Sequence, residues 1–300
     1  MTSSQRISVG DTNTRIALAR WGAEDRGKPP ALLLHGTGFV AEVWDDVACE
    51  LAQDYTVYAL DRRGHGDSHK PAANHYHFQD FAEDVCRVIE ALDLTGIYGI
   101  GHSAGATDLL LAAKLLPARF ARLFVIEPTV MDPRAARSGG LSDFAKSAVH
   151  GALRRQAEFE SADAAFARYR AAPAFAKWSE NSLRAYIRHG FAREADGRVR
   201  LCCTPGIESA VLLPIFEAME QVYVGDTRGN PFAWLSEIEC PVRVAVTEQS
   251  WSIYREMASR AIALLPAASQ WTFDGVGHSV AQEAPEQVLQ ALRAFKAQVG

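Results

Sequence analysis

GIYGIGHSAGATDLLLAAKLLP, residues 96–117, is the stretch of sequence that decides the fold. Its first five residues form a short apolar run typical of a buried strand, and residues 103–116 are apolar almost all round, as in a helix packed on a sheet. The two meet at GHSAG, residues 101–105, which matches the pattern G-x-S-x-G. Glycines at both ends allow a sharp turn, so we expect Ser103 to project its hydroxyl from the sheet edge as a candidate nucleophile. The alternative is an ordinary glycine-rich turn whose serine only caps the helix.

The same alternation of strands and helices continues on both sides of this stretch. Apolar residues spaced by three and four predict amphipathic helices over residues 78–92 and from Pro285 onward. Strands that alternate with helices are typical of a mostly parallel sheet covered on both faces, so we expect an α/β fold. Further strands are predicted at ALLLH (31–35), YTVYAL (55–60), RLFVIE (122–127), VRVAV (242–246) and SQWTF (269–273).

The alternation stops between residues 128 and 239. Ala- and Arg-rich helical stretches such as DFAKSAVHGALRRQ follow one another there without clear strand patterns. We interpret residues 128–239 as an inserted helical cap and residues 1–127 and 240–300 as the core domain. The aromatic residues of the cap fit either core packing between the cap helices or the wall of a substrate pocket. As candidate pocket residues we take Trp178, Tyr186, Phe216 and, beyond the cap, Trp251.

The composition limits the classes of function. Hydrophobic residues make up 48% and charged residues 22%, and no apolar run is long enough for a membrane span. A net charge of -5 without a basic stripe argues against a nucleic-acid partner. The N-terminal residues carry no apolar signal segment, so a cytoplasmic location is expected. Five cysteines, with no C-x-x-C pair, predict free thiols.

Two further motifs carry candidate catalytic groups. HGTG, residues 35–38, follows a predicted strand and offers backbone N–H groups of Thr37 or Gly38, which with that of Ala104 would form an oxyanion hole. A plain β-turn is the alternative reading. His278 stands in a glycine-rich loop between the last predicted strand and the last helix, where a base could reach Ser103.

Six of the other eight histidines are assigned structural roles. His35, His65 and His102 are expected to make loop-ordering hydrogen bonds, and His69, His75 and His77 look like part of a solvated loop. A metal site formed by the last three is disfavoured, because no carboxylate or cysteine falls at a familiar metal-ligand spacing.

HGTG, DRRGHGDS (residues 61–68), GHSAG and the late Gly277-His278 occur in the order seen in the α/β-hydrolase superfamily, and the chain resembles that superfamily over nearly its whole length. The resemblance implies a mostly parallel eight-stranded sheet flanked by helices, with an inserted helical cap. It also implies that Ser103 is the nucleophile, that His278 is its base, and that no metal or organic cofactor is needed. The superfamily is functionally broad, so the resemblance does not name a substrate.

The acidic member of the expected Ser-acid-His triad departs from the family pattern. Members usually carry it after the strand equivalent to VRVAV, whereas this chain reads TEQSWS there, with Ser250 at the expected acid position. Glu127, at the end of RLFVIE, is our first candidate, because IEPTVM is similar to the arrangement in zearalenone-type lactone hydrolases. Glu127 could instead cap a loop or pair with a cap arginine. Glu248 and a degraded triad remain as alternatives.

A serine nucleophile implies acyl-enzyme chemistry on a small apolar or aromatic carboxylic ester or lactone. Dehalogenases and epoxide hydrolases are disfavoured, since the comparable enzymes use an aspartate where this chain has Ser103. Two other hypotheses stay open: a carbon-carbon bond hydrolase or cofactor-free lyase on the same fold, and a ligand-binding protein without catalysis.

Overall fold

The structure is a computed structural model of the chain, and it describes residues 4–22, 27–72, 75–130, 140–223 and 231–299, with side chains for all of these except 140–145, 216–223, 231–232 and 299. The strands are β1 (Gln5–Val9), β2 (Ile16–Trp21), β3 (Pro30–Leu34), β4 (Thr56–Leu60), β5 (Ile97–His102), β6 (Phe120–Ile126), β7 (Glu158–Phe159), β8 (Phe191–Arg193), β9 (Val199–Leu201), β10 (Val242–Thr247) and β11 (Ala268–Phe273). The α-helices are α1 (Asp45–Leu51), α2 (Phe78–Ala91), α3 (Ala104–Leu115), α4 (Gly140–Leu153), α5 (Ala162–Arg170), α6 (Glu180–His189), α7 (Pro205–Tyr223), α8 (Ser252–Leu264), α9 (Val280–Glu283) and α10 (Pro285–Val299).

Eight strands form one sheet in the order β1-β2-β4-β3-β5-β6-β10-β11. The pairs from β4 to β11 are parallel, whereas β1 with β2 and β2 with β4 are antiparallel. The expected α/β fold with a mostly parallel eight-stranded sheet is therefore confirmed. Strands β1 and β2 were not among the predicted strands, because QRISV is a half-exposed edge segment and IALARW combines alanines with Arg20, which weakens its β signal.

The sheet is buried on both faces, as the alternation of side chains along β3 illustrates. Leu32 and Leu34 pack into one apolar layer with residues of α2, α3 and α8, while Leu33 packs into the opposite layer with residues of α1 and α10. All three leucines are fully buried. Because both layers are filled, the carboxyl ends of the parallel strands are the places where loops gather to form a site.

The segment between β6 and β10 contains α4 to α7 together with a small antiparallel sheet in the order β7-β9-β8. The sequence predicts helices there without clear strands, and the small sheet corrects this expectation. These strands have only two or three residues, too short to produce a recognisable period of two. In the part of the chain that the structure describes, no helix is long and apolar enough to cross a membrane.

Candidate active site

Ser103 occupies a strained turn between β5 and α3. Its backbone angles are φ 55° and ψ -123°, a region that non-glycine residues seldom adopt. The turn is closely packed: a Cβ atom at Gly101 would lie 2.5 Å from Ala106 Cα, and one at Gly105 would lie 2.5 Å from the carbonyl oxygen of His35. Both glycines of the pattern are therefore required by space, and the turn delivers the Ser103 side chain into a cavity.

His278 lies on the same cavity, in the loop between β11 and α9. The ring of His102 packs against it, with 4.5 Å between ring centroids, and His102 Nε2 lies 2.8 Å from the His278 carbonyl oxygen. Burial, followed by the nearby His278, lowers the pKa of His102 well below its ordinary value, so its ring is neutral and donates this hydrogen bond from Nε2. His102 thereby holds the loop that carries His278.

Glu127 binds the other side of His278. Its Oε2 atom lies 2.5 Å from His278 Nδ1, and the carboxylate is fully buried. The residue follows β6 with φ 44°, and its backbone N–H donates to the carbonyl oxygen of Ala245 on the adjacent strand β10. Because β5, β6 and β10 are neighbours, the loops that follow them meet at one end of the sheet.

The carboxylate of Glu127 accepts three more hydrogen bonds. Thr247 donates to Oε1 from its backbone N–H at 2.9 Å and from its hydroxyl at 2.8 Å, and the Ser250 hydroxyl donates to Oε2 at 2.8 Å. Burial alone would raise the pKa of Glu127, but the hydrogen bond and charge of His278 and the donors of Thr247 outweigh it. The pKa of Glu127 therefore lies below its ordinary value, and the group is a carboxylate.

Glu248, the other candidate acid, is placed differently. Its side chain is exposed and accepts a 2.8 Å hydrogen bond from the backbone N–H of Gly275. Its own backbone N–H pairs with Phe273. The structure thus brings Glu127, and not Glu248, to the imidazole of His278.

The HGTG loop and the first residue of α3 line the same cavity as Ser103. Thr37 and Ala104 line the cavity, as expected for oxyanion-hole donors. Gly38 is different, because its N–H donates to His65 Nε2 at 2.9 Å. The carbonyl oxygen of Gly38 accepts a 3.0 Å hydrogen bond from the Tyr186 hydroxyl. Both backbone groups of Gly38 therefore form hydrogen bonds that hold the loop, whereas Thr37 and Ala104 line the cavity together with Ser103.

The DRRGHGDS segment explains why this loop is ordered. Burial lowers the pKa of His65 well below its ordinary value, so the neutral ring donates from Nδ1 to the Arg63 carbonyl oxygen and accepts from Gly38 at Nε2. Arg62 donates from its backbone to His35 Nε2 at 3.1 Å and forms a buried ion pair with Asp108 of α3. The loop-ordering roles expected for His35, His65 and His102 fit these contacts.

The cavity around Ser103 has a volume of about 200 Å³ and is mainly apolar. Among the described residues that line it there is no aspartate, glutamate, lysine or arginine. Its lining residues are Gly36, Thr37, Phe39, His102, Ser103, Ala104, Thr129, Ala148, Leu212, Ile215, Ile253, Tyr254, Met257 and His278.

Tyr254 and Thr129 are parts of the site that the sequence analysis missed. The ring of Tyr254 stacks on that of His278, with 4.6 Å between centroids and 20° between planes. Thr129 Oγ1 lies 3.5 Å from Ser103 Oγ. Burial raises the pKa of Tyr254 well above its ordinary value, partly offset by hydrogen bonding to Ser103 and Thr129, so its hydroxyl is a neutral donor facing the nucleophile. No sequence motif marks either residue, since one lies inside α8 and the other in a loop.

The aromatic residues proposed for the pocket are distributed differently. Trp178 and Tyr186 are buried and pack on Phe39 at centroid distances of 5.0 and 5.8 Å, so they lie behind the cavity wall instead of forming it. Trp251 is 58% exposed, and its ring lies 5.9 Å from that of His278, but it is not among the residues that line the cavity. Phe216 lies in α7, and its side chain is outside the described part of the structure.

None of the five cysteines, all of which the structure describes, forms a disulfide bond, in agreement with the expected thiols. Among the described residues, no group of three or more histidine, cysteine, aspartate or glutamate side chains is arranged to hold a metal ion.

Comparison with known proteins places this geometry in a family. A non-heme chloroperoxidase of Streptomyces lividans is 36% identical over 132 residues, which cover 43% of this chain and 47% of that protein. A 2-(acetamidomethylene)succinate hydrolase of Mesorhizobium japonicum is 32% identical over 115 residues, 38% of each chain. The chain thus spans less than half the length of these curated relatives.

Solved structures match over almost the entire chain. The crystal structure of E-2-(acetamidomethylene)succinate hydrolase aligns with a TM-score of 0.78 and 21% identity over 98% of this chain and 99% of that chain. A thioesterase domain from the curacin biosynthetic pathway aligns with a TM-score of 0.74 and 21% identity over 97% and 99%. At such identities the likeness shows the fold. The family model described as alpha/beta hydrolase family matches residues 31–291, and the chain therefore belongs to the alpha/beta hydrolase family.

Proposed function

We propose that this protein is a serine hydrolase that cleaves a small, uncharged carboxylic ester or lactone through an acyl-enzyme intermediate. One observation carries the proposal: a serine held in a strained turn and a histidine bound to a buried carboxylate line the same apolar cavity. This is the combination of groups that acyl transfer by a serine requires.

In the proposed reaction, Glu127 fixes the tautomer of His278. In the neutral form of His278, which the reaction uses, a proton on Nδ1 that is donated to Glu127 leaves Nε2 able to act as a base. His278 takes the proton of Ser103 as the serine oxygen attacks the substrate carbonyl. The tetrahedral intermediate collapses when His278 returns this proton to the leaving alkoxide. Water, activated by His278, then attacks the acyl-serine and releases the acid.

The negative charge of the tetrahedral intermediate needs donors that are already in place. The backbone N–H groups of Thr37 and Ala104 are our candidates, because both residues line the cavity beside Ser103. Donors fixed before the reaction stabilise the developing charge without the cost of reorienting water.

The volume and the lining of the cavity favour a small, uncharged substrate. An apolar cavity of about 150 Å³ is large enough for benzene, so about 200 Å³ suits a short aliphatic or single-ring acyl group. The described lining offers no cation to neutralise a substrate carboxylate. For this reason we do not transfer to this chain the succinate substrate that is named for its relatives.

The test combines labelling with turnover. We expect a fluorophosphonate probe to label wild-type protein at Ser103, and p-nitrophenyl acetate and benzoate to be hydrolysed. Ser103→Ala should lose labelling and at least about 1000-fold of the turnover. Ser259→Ala, an exposed serine on α8, is the matched control and should behave as wild type. Unchanged turnover in Ser103→Ala would refute the proposal, and mass spectrometry of the products distinguishes ester cleavage from carbon-carbon bond cleavage.

A further inference from the structure

We propose that Ser250 is a positioning residue, which together with Thr247 fixes the Glu127 carboxylate against His278. This role rests on the proposed serine hydrolase function and deepens it.

Four hydrogen bonds surround the carboxylate of Glu127. Oε1 accepts both groups of Thr247, and Oε2 accepts the Ser250 hydroxyl together with His278 Nδ1. A carboxylate offers about four lone-pair sites, so every one of them is occupied. A fully buried charge is costly unless it is satisfied in this way. The donors on both oxygens therefore keep the group ionised and prevent its rotation.

The location of these donors matters as much as their number. Thr247 is the last residue of β10, and Ser250 follows in the bend before α8. Glu127 follows the neighbouring strand β6. An acid at position 250 beside Glu127 would bring two carboxylates to one imidazole, and like charges so close cannot both ionise without a large cost. A serine instead donates to the carboxylate that reaches across from the next strand.

The experiment removes the Ser250 hydroxyl and then restores a hydroxyl at the same position. Ser250→Ala should lower kcat about 10-fold, the usual effect of losing one hydrogen bond to a charged group, while KM stays the same because Ser250 does not line the cavity. The acidic limb of the pH-rate profile should move to higher pH, since a less stabilised anion lets the Glu127-His278 pair hold its proton longer. Ser250→Thr should recover most of the turnover. Wild-type kcat and pH profile in Ser250→Ala, or equal impairment in Ser250→Thr, would overturn the positioning role.

These outcomes are separable from a failure of the proposed function. Full turnover in Ser103→Ala would refute the serine mechanism itself. An inactive Ser103→Ala variant combined with an unaffected Ser250→Ala variant would leave the serine mechanism in place and refute only the role of Ser250.

Discussion

Glu127 Oε2 and His278 Nδ1 lie 2.5 Å apart although 151 positions separate the two residues in the chain. The contact depends on strand order, because β6 is followed in space by β10 and β11, whose loops carry Ser250 and His278. The fold therefore allows a carboxylate on β6 to serve a histidine that follows the last strand.

Glu127→Gln is expected to abolish most of the ester hydrolysis. The amide cannot hold His278 in the required tautomer, and a loss of about 10⁴-fold in kcat is expected. Glu248→Gln is the matched control, since Glu248 is exposed and its carboxylate accepts a hydrogen bond from the backbone N–H of Gly275. Steady-state kinetics on p-nitrophenyl acetate measure both. Near-normal activity in Glu127→Gln with inactivation in Glu248→Gln would reverse our assignment of the acid.

Tyr186→Phe is expected to impair catalysis although the residue does not line the cavity. The variant loses the 3.0 Å hydrogen bond to the Gly38 carbonyl oxygen, which holds the loop that presents Thr37. We expect kcat to fall about 10-fold, with KM little changed, and stability to fall by about 1–3 kcal/mol because Arg155 also loses a partner.

Tyr169→Phe provides the control for this variant. Tyr169 accepts a 2.9 Å hydrogen bond from Arg155, as Tyr186 does, but has no hydrogen bond to Gly38 in the structure. Loss of the Tyr169 hydroxyl should lower the free energy of unfolding, measured in urea, without a comparable loss of kcat. Equal kcat effects in the two variants would show that the loop is not held through Tyr186.

The protein is expected to lose stability as the pH falls below about 6.5, the ordinary pKa of histidine. Burial is the main cause that lowers the pKa of His35 to about 3 and the pKa values of His65 and His102 well below the ordinary value. These rings stay neutral in the folded protein but gain protons when it unfolds. The stabilisation is therefore complete above pH 6.5 and is lost below it, by up to about 1.4 kcal/mol per pH unit for each ring.

Urea unfolding at pH 7.5, 6.5 and 5.5 measures this dependence. His75→Gln, which removes an exposed histidine, should leave the slope unchanged. Burial raises the pKa of Glu42 to about 7, which adds stability as the pH falls, so the test is made in a Glu42→Gln background. An unfolding free energy that is constant from pH 7.5 to 5.5 in this background would show that the buried rings do not titrate as inferred.

Leu212→Ala is expected to shift the preference toward longer acyl chains. Leu212 lines the cavity, and its removal opens space for additional methylene groups, each worth about 0.8 kcal/mol when buried. The ratio of kcat/KM for p-nitrophenyl hexanoate to that for acetate should therefore rise several-fold. Leu213→Ala, at the neighbouring position and 47% exposed, is the control. An equal hexanoate-to-acetate ratio in the two variants would show that the acyl group does not lie against Leu212.

The fold was accessible from sequence because the strands that build its centre are short, apolar and bounded by turns. The helix after Ser103 could be recognised from its uniform apolarity, since it packs centrally on the sheet. The strands β7 to β9 could not, because two or three residues carry no period. The division of the chain into a core and a cap stays a prediction.

The candidate site was accessible only where a motif constrains the backbone. The GHSAG and HGTG stretches need small residues for tight packing, so they mark Ser103 and Thr37 in the sequence. Tyr254 occupies an ordinary helical position and reaches the site only because α8 packs beside it. Gly38 was expected, as an alternative to Thr37, to donate its N–H in the oxyanion hole, but sequence could not reveal that this N–H binds His65.

The small size of the cavity also bears on the second half of the proposed reaction. The water that hydrolyses the acyl-serine must enter the same space of about 200 Å³ that the acyl group occupies, and a water molecule takes about 30 Å³ of liquid volume. A short acyl group leaves room for this water, whereas one that fills the space expels it. Compounds with a close-fitting acyl group would then remain bound to Ser103 as stable covalent adducts. The cavity that selects substrates would therefore also select slow-release inhibitors.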